Sequence, residues 1–305
     1  MKNIKTVGIV GRGAIGVNFA TFIYDYLGKD KLVFIADEQR KERYQANPVI
    51  YNGKSYDFKY VSSVSEFQQV DLLILATKYT AIKAAMEEMK PFIKSNTIII
   101  STLNGVISED DLRQAFGREK VVRCIARAMA IVYQGNTVTA DPVGELVIGA
   151  EQPIDEENVA SLRAFFTACH LPFVESDHIL LESWHKLMFN CGVNQTCAVF
   201  NIPYGQLKPG MPYREKTIAT MKEVQAVANK LGIPITDQDV ENTIAPLTNF
   251  NSESMPSMRQ DVLAKRKTEL QLFAGYIVPL AKKLGISVPN NEEYLAKIQE
   301  IEANY

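Results

Sequence analysis

The chain has 305 residues, a formal net charge of -2 and a sequence pI near 6.0. At roughly 150 residues per domain, that length predicts about two domains. The near-neutral balance excludes the basic footprint of a dedicated nucleic-acid binder, and no run of about 20 apolar residues exists to span a membrane.

The cysteines, Cys124, Cys169, Cys191 and Cys197, contain no Cys-x-x-Cys pair, and the only histidines are His170, His178 and His185. That set is too sparse and scattered for a zinc site. The opening segment MKNIKTVGIVGRG has no signal-peptide apolar stretch. The expectation is a cytoplasmic protein with reduced thiols.

In chain order, Lys5 to Val10 is a short apolar run ending in glycines, and Ala14 to Tyr26 is a helical stretch. Lys31 to Ala36 is a second β-rich run. Residues 71–76 and 97–102 repeat the theme, with a helical stretch between them. Short Val/Ile/Leu runs alternating with helices predict a buried parallel sheet. The fold class is therefore α/β, with a Rossmann-type doubly wound sheet. From Arg127 to Ile148, turn signals at Gln134-Gly135-Asn136 and at Asp141-Pro142 predict antiparallel strands that finish the sheet.

Beyond Val174 the alternation stops. Helical windows cover Asp177 to Thr196, Tyr213 to Leu231 and Met258 to Leu284. Gly232 and Gly285, each followed by Ile, predict Schellman stops, and Pro279 predicts a kink or division of the last window. The predicted domains are a dinucleotide-binding domain, 1–174, and an all-α substrate and catalytic domain, 175–305.

Gly11-Arg12-Gly13-Ala14-Ile15-Gly16 reads G-x-G-x-x-G between a predicted strand and a predicted helix. Gly11 suits the tight turn, Gly13 lets backbone approach a pyrophosphate, and Gly16 lets helix and sheet pack closely. Free N–H groups at the helix start would face that pyrophosphate. Asp37 ends the second strand, 21 positions after Gly16. A carboxylate there accepts from the adenosine ribose 2′-hydroxyl and repels a 2′-phosphate, which favours NAD. Arg40, Lys41 and Arg43 either offset that charge or form a solvated basic helix start. Lys78 and Asn104 follow predicted strand ends, where ligands bind in open α/β sheets. Taken singly, Lys78 reads better as a surface lysine and Asn104 as part of an ordinary Asn-Gly turn.

In the second domain, Lys186, Asn190 and Asn194 lie at i, i+4 and i+8 and share a helix face amid apolar neighbours. Such a stripe either faces a site or faces solvent. A lysine there can protonate or polarise a carbonyl oxygen. His185 lies off that face and reads as structural.

With these residues together, the chain resembles the ketopantoate reductase (2-dehydropantoate 2-reductase) family over essentially its whole length. The matching motifs are Gly11 to Gly16, Lys78, Asn104-Gly105, the Lys186/Asn190/Asn194 helix, and Ser257-Met258-Arg259-Gln260-Asp261 through Arg266-Lys267-Thr268-Glu269. The resemblance implies reduction of ketopantoate to (R)-pantoate in pantothenate biosynthesis, with NAD(P)H as cofactor. Lys186 would be the general acid and Glu269 would orient the substrate. Asn190, Asn194 and Ser257 would bind substrate, Asn104 would lie near the reacting centre, and Lys78 would contact cofactor. It also implies that the two domains close on the substrate. Family members using NADPH usually carry a basic residue where this chain has Asp37, so the resemblance suggests NADPH while Asp37 leans toward NADH. Relatives on the same scaffold reduce other branched or aromatic 2-oxo acids to D-2-hydroxy acids, which is the first alternative. A non-catalytic NAD(P)-binding regulator is the second. The expected partner is a small 2-oxo acid, with no nucleic acid, no membrane and no metal. An all-α second domain can offer a homodimer face.

Overall fold

The computed structural model describes residues 1–305. The short apolar runs form strands and the stretches between them helices. The order is β1 (Val7–Val10), α1 (Ala14–Leu27), β2 (Leu32–Ile35), α2 (Glu38–Gln45), β3 (Val49–Tyr51), β4 (Lys54–Tyr56), β5 (Lys59–Val61), β6 (Val70–Leu75), α3 (Ile82–Met89), β7 (Ile93–Ser101), α4 (Ser108–Phe116), β8 (Val121–Gln134), β9 (Thr137–Gly149), α5 (Glu156–Ala168) and β10 (Phe173–Glu175). Helices follow: α6 (Ile179–Phe189), α7 (Gln195–Val199), α8 (Arg214–Lys230), α9 (Asp237–Ile244), α10 (Ser257–Leu263), α11 (Ala274–Leu284) and α12 (Pro289–Ala303). No helix is long and apolar enough to cross a membrane.

The chain divides into two units, Met1–Leu103 with Ser108–Ile179, and Asn104–Ile107 with Leu180–Tyr305. The boundary expected at 174/175 would cut β10. That strand pairs with β9, and Ile179 packs on Ile125 and Val147, so the first unit runs to Ile179. Asn104–Ile107 falls in the second unit, although its chain neighbours on both sides belong to the first.

In the first unit the strands form one ten-stranded sheet, ordered β4-β3-β9-β8-β7-β6-β1-β2-β5 with β10 beside β9. The pairs β5-β2, β2-β1, β1-β6, β6-β7 and β7-β8 are parallel. Successive strand residues face opposite ways, and here both faces are apolar. Val7, Ile9, Leu72, Ile74, Ile98 and Ile100 pack with α1 and α5, while Val10, Leu73, Leu75 and Ile99 pack with α3 and α4. Helices on both faces are what continuous Val/Ile/Leu strands require. Only Asp57 and Phe58 separate the two outermost strands of the ladder, β4 and β5, so the sheet curls around α1. Asn18, fully buried in α1, ties that helix to the curl. Its Nδ2 donates to the Val143 carbonyl (2.9 Å) and its Oδ1 accepts from the Tyr51 hydroxyl (2.6 Å).

The antiparallel finish is the β8–β9 pair, turning at Gly135 and Asn136. Asp141-Pro142 is not a turn. It sits within β9, where Asp141 and Pro142 lie opposite the single residue Ala130 between the Met129–Val143 and Ile131–Ala140 pairs. A bulge absorbs the extra residue and the proline without a donor.

In the second unit, Gly232 (φ 81°) and Gly285 (φ 70°) end α8 and α11, and the Ile233 and Ile286 N–H groups bond back to Ala228 and Ala281. These are the expected Schellman stops. The window Met258 to Leu284 divides, but not at Pro279, which lies inside α11. The break runs from Ala264 to Phe273. Lys265 there is left-handed (φ 51°), the Arg266 N–H and Nε both return to Asp261, and Thr268 binds Glu302 through its N–H and hydroxyl. This pinned loop carries Glu269. Residues 190–194 form a π-helical turn between α6 and α7.

Candidate functional site

The strand order of the first unit reverses between β1 and β6, since β2 lies on one side of β1 and β6 on the other. Ligands of open α/β sheets bind outside the carboxyl ends of strands at such a switch point. The residues there are Gly11–Gly16 after β1 and Ala76–Lys78 after β6. Each glycine answers a different constraint. Gly11 has φ +111°, and a Cβ on it would stand 2.4 Å from the Ala76 carbonyl oxygen. A Cβ on Gly16 would stand 2.1 Å from the Gly11 oxygen. Both are required by the turn itself. A Cβ on Gly13 would meet nothing nearer than the Ala76 oxygen at 3.8 Å. The chain leaves that space open, as a close-approaching ligand needs.

Gly13 is the N-cap of α1 and supplies no side-chain cap. Ala14, Ile15 and Gly16 form the first turn, whose N–H groups have no intrahelical acceptor. Thr77 sits across from them after β6, and its hydroxyl is buried with no hydrogen-bond partner. Buried polar groups are normally satisfied, so an open cradle beside an orphaned hydroxyl fits a bound dinucleotide. Motif reading singled out Lys78 and passed over Thr77, whose signal is this orphaned atom. Lys78 is exposed and begins the short 3-10 turn Tyr79–Ala81.

Arg12 does not extend from the turn. Its guanidinium lies 4.7 Å from the Tyr44 ring centroid and 5.4 Å from that of Tyr60, and donates to the Asn47 carbonyl. Asp37 is exposed at the carboxyl end of β2, and it is the N-cap of α2. Its Oδ1 accepts from the Arg40 N–H (2.7 Å) and its Oδ2 from Arg40 Nε (2.9 Å). Those bonds hold its carboxyl below the usual range. Lys41 turns to Glu66 and Glu38, and Arg43 lies over Tyr44.

In the second unit, α6 carries Lys186, half-buried, into the π turn with Asn190 and Asn194. An unbroken α-helix would rotate Asn194 about 80° away from Lys186, at roughly 100° per residue. A π turn takes in one more residue per turn and brings Asn194 back toward the stripe. Asn194 Nδ2 donates to Asn190 Oδ1 (3.0 Å). The other two amide atoms, Asn190 Nδ2 and Asn194 Oδ1, are buried without a partner, on residues only 5% and 7% exposed. One is a donor and the other an acceptor.

The sequence does not announce what holds this turn. Gln195 is fully buried; its Nε2 donates to the Cys191 carbonyl (3.0 Å), and its Oε1 accepts from the Ala274 N–H at the start of α11 (3.0 Å). The Thr196 hydroxyl donates to the Gly192 carbonyl (2.6 Å). Gly192 lets α8 approach, for a Cβ there would stand 2.5 Å from Met221 Cγ.

Asn104 and Glu269, which are 165 residues apart, meet directly, with Asn104 Nδ2 donating to Glu269 Oε2 (2.8 Å). Gly105 (φ +82°) lies against Leu272 in the same contact. Ser257 begins α10, exposed, and α10 packs on α7 and the π turn. His185 lies near Asp239 (3.8 Å), apart from the asparagines. The four cysteines are free and buried, burial pushes Cys169, Cys191 and Cys197 upward, and no cluster of metal-ligating side chains exists.

Comparison with known proteins identifies the family and the fold. Residues 7–152 match the family described as Ketopantoate reductase PanE/ApbA, and residues 178–302 match Ketopantoate reductase PanE/ApbA C terminal. The 2-dehydropantoate 2-reductase of Aquifex aeolicus (strain VF5) is 28% identical over 301 residues, covering 93% of each chain. A crystal structure of a PanE/ApbA family ketopantoate reductase from Ralstonia eutropha JMP134 is 27% identical, covers 98% of this chain and 99% of its own, and superposes with a TM-score of 0.84. A ternary structure of D-mandelate dehydrogenase with NADH and anilino(oxo)acetate shares the fold at 21% identity, with coverage of 98% and 99% and a TM-score of 0.85. The chain therefore belongs to the ketopantoate reductase family of NAD(P)-dependent oxidoreductases that act on CH–OH groups.

Proposed function

We propose that this chain reduces ketopantoate to (R)-pantoate in pantothenate biosynthesis, with NADH as the preferred hydride donor. The observation that carries the substrate is the unmatched pair on the π turn, Asn190 Nδ2 and Asn194 Oδ1. A hydroxyl group accepts one hydrogen bond and donates another. The 4-hydroxyl of ketopantoate would satisfy both amide atoms at once, accepting from Asn190 and donating to Asn194. An aromatic 2-oxo acid without that hydroxyl would leave both atoms buried and unpaired.

Bound nicotinamide supplies the hydride that reaches the ketone carbon. Negative charge then builds on the ketone oxygen. Lys186, in α6 just before the asparagines of the π turn, stabilises that charge with its ammonium and delivers the proton. Asn104 holds Glu269 by its Oε2, which leaves Oε1 to orient the substrate or Lys186. Ser257 adds a hydroxyl for the substrate carboxylate. In the first unit, the open space at Gly13, the first-turn N–H groups of α1 and the Thr77 hydroxyl would hold the pyrophosphate region, with Lys78 beside them. Asp37 supports NADH, because a carboxylate accepts from a ribose hydroxyl and repels a phosphate.

The test compares ketopantoate with 3,3-dimethyl-2-oxobutanoate, which has the same carbon skeleton without the hydroxyl. A site built to hydrogen-bond a hydroxyl discriminates strongly against the analogue lacking it, by up to about 10⁵. The expected result is a loss of at least about 100-fold in kcat/KM. Equal rates on the two acids, or faster turnover of phenylglyoxylate, would assign the chain to the 2-oxo acid reductases of broader or aromatic specificity.

A further inference from the structure

Asp37 is the expected reader of the ribose, yet it is not alone. Arg40 clamps both of its oxygens, through the main-chain N–H (2.7 Å) and through Nε (2.9 Å). A second nitrogen of the same guanidinium is taken as well. Arg40 Nη2 donates to Glu88 Oε1, a carboxylate on α3 that is distant in sequence. Glu88 Oε2 is buried with no partner. Two carboxylates therefore hold one guanidinium through two of its nitrogens, and the cluster is net negative.

The other basic groups of α2 are engaged elsewhere. Lys41 bonds Glu66 (2.5 Å) and Glu38 (3.1 Å), and Arg43 lies 5.3 Å from the Tyr44 ring centroid. Arg40 is the cation in contact with Asp37, and Glu88 fixes where its charge points. An arginine fork is the natural partner of a phosphate, but only when its N–H edges are available.

We infer that Glu88 is a specificity-determining residue for the cofactor: by holding the Arg40 guanidinium against Asp37, it withholds the charge that a 2′-phosphate needs and so selects NADH over NADPH. The inference rests on the reading that the dinucleotide lies at the Gly11–Gly16 turn with its ribose toward Asp37. Glu88 itself does not touch the cofactor; it acts through Arg40. Without the Glu88 charge, Arg40 retains its bonds to Asp37 while its Nη2 becomes free for a phosphate.

The experiment measures dissociation constants for NADH and NADPH by isothermal titration calorimetry on the full chain. The proteins are wild type, Glu88→Gln, and Glu88→Gln combined with Arg40→Ala, each with its melting temperature. Wild type is expected to bind NADH at least about tenfold more tightly than NADPH. Glu88→Gln should tighten NADPH by about tenfold, the scale of one released charge pair, and leave NADH within about threefold. The double variant should lose the NADPH gain. If Glu88→Gln melts early, Glu88→Leu, which fills the half-buried position without charge, replaces it with the same expected shift. The inference is overturned if wild type prefers NADPH, if the NADH/NADPH ratio does not move in the folded variant, or if the gain survives loss of Arg40. Failure of wild type to bind either dinucleotide would instead overturn the cofactor placement itself, and this inference with it.

Discussion

Gly13→Ala separates a glycine kept for the fold from a glycine kept for a ligand. Gly13 has φ −85° and ψ −177°, which alanine adopts freely, and its added methyl would lie in ordinary contact with the Ala76 oxygen, at 3.8 Å. At an N-cap, alanine is worse than glycine by about 0.5–1 kcal/mol. Alanine also stiffens the unfolded chain, which returns about 0.4–1 kcal/mol. The net change in stability is therefore under about 1 kcal/mol, or a Tm shift within about 2–4 °C for a domain of this size. The cofactor meets a different balance. A methyl pushed into a close-packed contact costs about 1–3 kcal/mol, which weakens binding by about 5- to 150-fold. Calorimetric titration with NADH beside a thermal melt reads both quantities. Gly16→Ala is the contrast, because its Cβ would stand 2.1 Å from the Gly11 oxygen and must displace main chain. That variant should lose stability and binding together. A Gly13→Ala protein with a normal Tm and wild-type NADH affinity would refute the placement of the pyrophosphate at this turn.

Other substitutions test the remaining parts. Thr77→Val replaces an orphaned buried hydroxyl with a methyl of similar shape, so Tm should hold or rise, while NADH binding weakens by about 3- to 10-fold, the scale of one lost hydrogen bond. Lys186→Ala should lower kcat by about 100-fold or more, the scale of lost acid catalysis, with NADH affinity unchanged in the same titration; near-normal turnover would remove the lysine from the mechanism. Asn194→Leu should raise KM for ketopantoate by about tenfold or more and narrow its advantage over 3,3-dimethyl-2-oxobutanoate, a change that a purely structural loss would not produce. Asp71 tests acid stability. Burial pushes its carboxyl upward, but bonds from Lys94, the Lys5 N–H and the Thr6 hydroxyl outweigh burial, and the carboxyl lies below its ordinary 3.8. A depressed carboxyl stabilises the fold above its unfolded value and loses that contribution as pH falls through the lower folded value. Denaturant unfolding should thus show wild type more stable than Asp71→Asn by a constant margin above about pH 4, with the margin shrinking below it.

The sheet was legible because its cause is local. Strands buried on both faces must be apolar at every position, so Val7–Val10, Leu32–Ile35 and the Ile98–Ile100 core of β7 stand out as runs. The glycine turn was legible from its spacing between a strand and a helix, although the Gly11 clash is with Ala76 and Thr77 after β6, and only the Gly16 clash with the Gly11 oxygen is local. Asn104–Ile107 was not. Its neighbours in sequence belong to the first unit, while long-range contacts such as the Asn104–Glu269 bond and Gly105 against Leu272 tie it to the second. The break before α11 was misplaced because Pro279 is a visible breaker, whereas the bonds that stop α10 come from Asp261 and from Glu302 near the end of the chain.

The π turn shows the limit most clearly. Spacing by four along a helix marks Lys186, Asn190 and Asn194 as neighbours, and an α-helix alone would leave them drifting apart around its axis. Wider winding leaves carbonyls without their usual N–H partners, and these need other donors. Gln195 meets the Cys191 carbonyl and the Thr196 hydroxyl meets that of Gly192, while Gln195 anchors itself on the first N–H of α11. No periodicity encodes this, because the donor that favours the turn depends on a helix some eighty residues later. The motif therefore marks the candidate residues, and the buried amide of Gln195 accounts for their alignment. Gln195→Leu, close in volume but with no amide, should then raise KM for ketopantoate more than it lowers kcat. Gln195→Glu, which keeps the acceptor for the Ala274 N–H but not the donor for Cys191, should share the KM defect. A Gln195→Glu enzyme with wild-type KM would show that the turn holds without that donor.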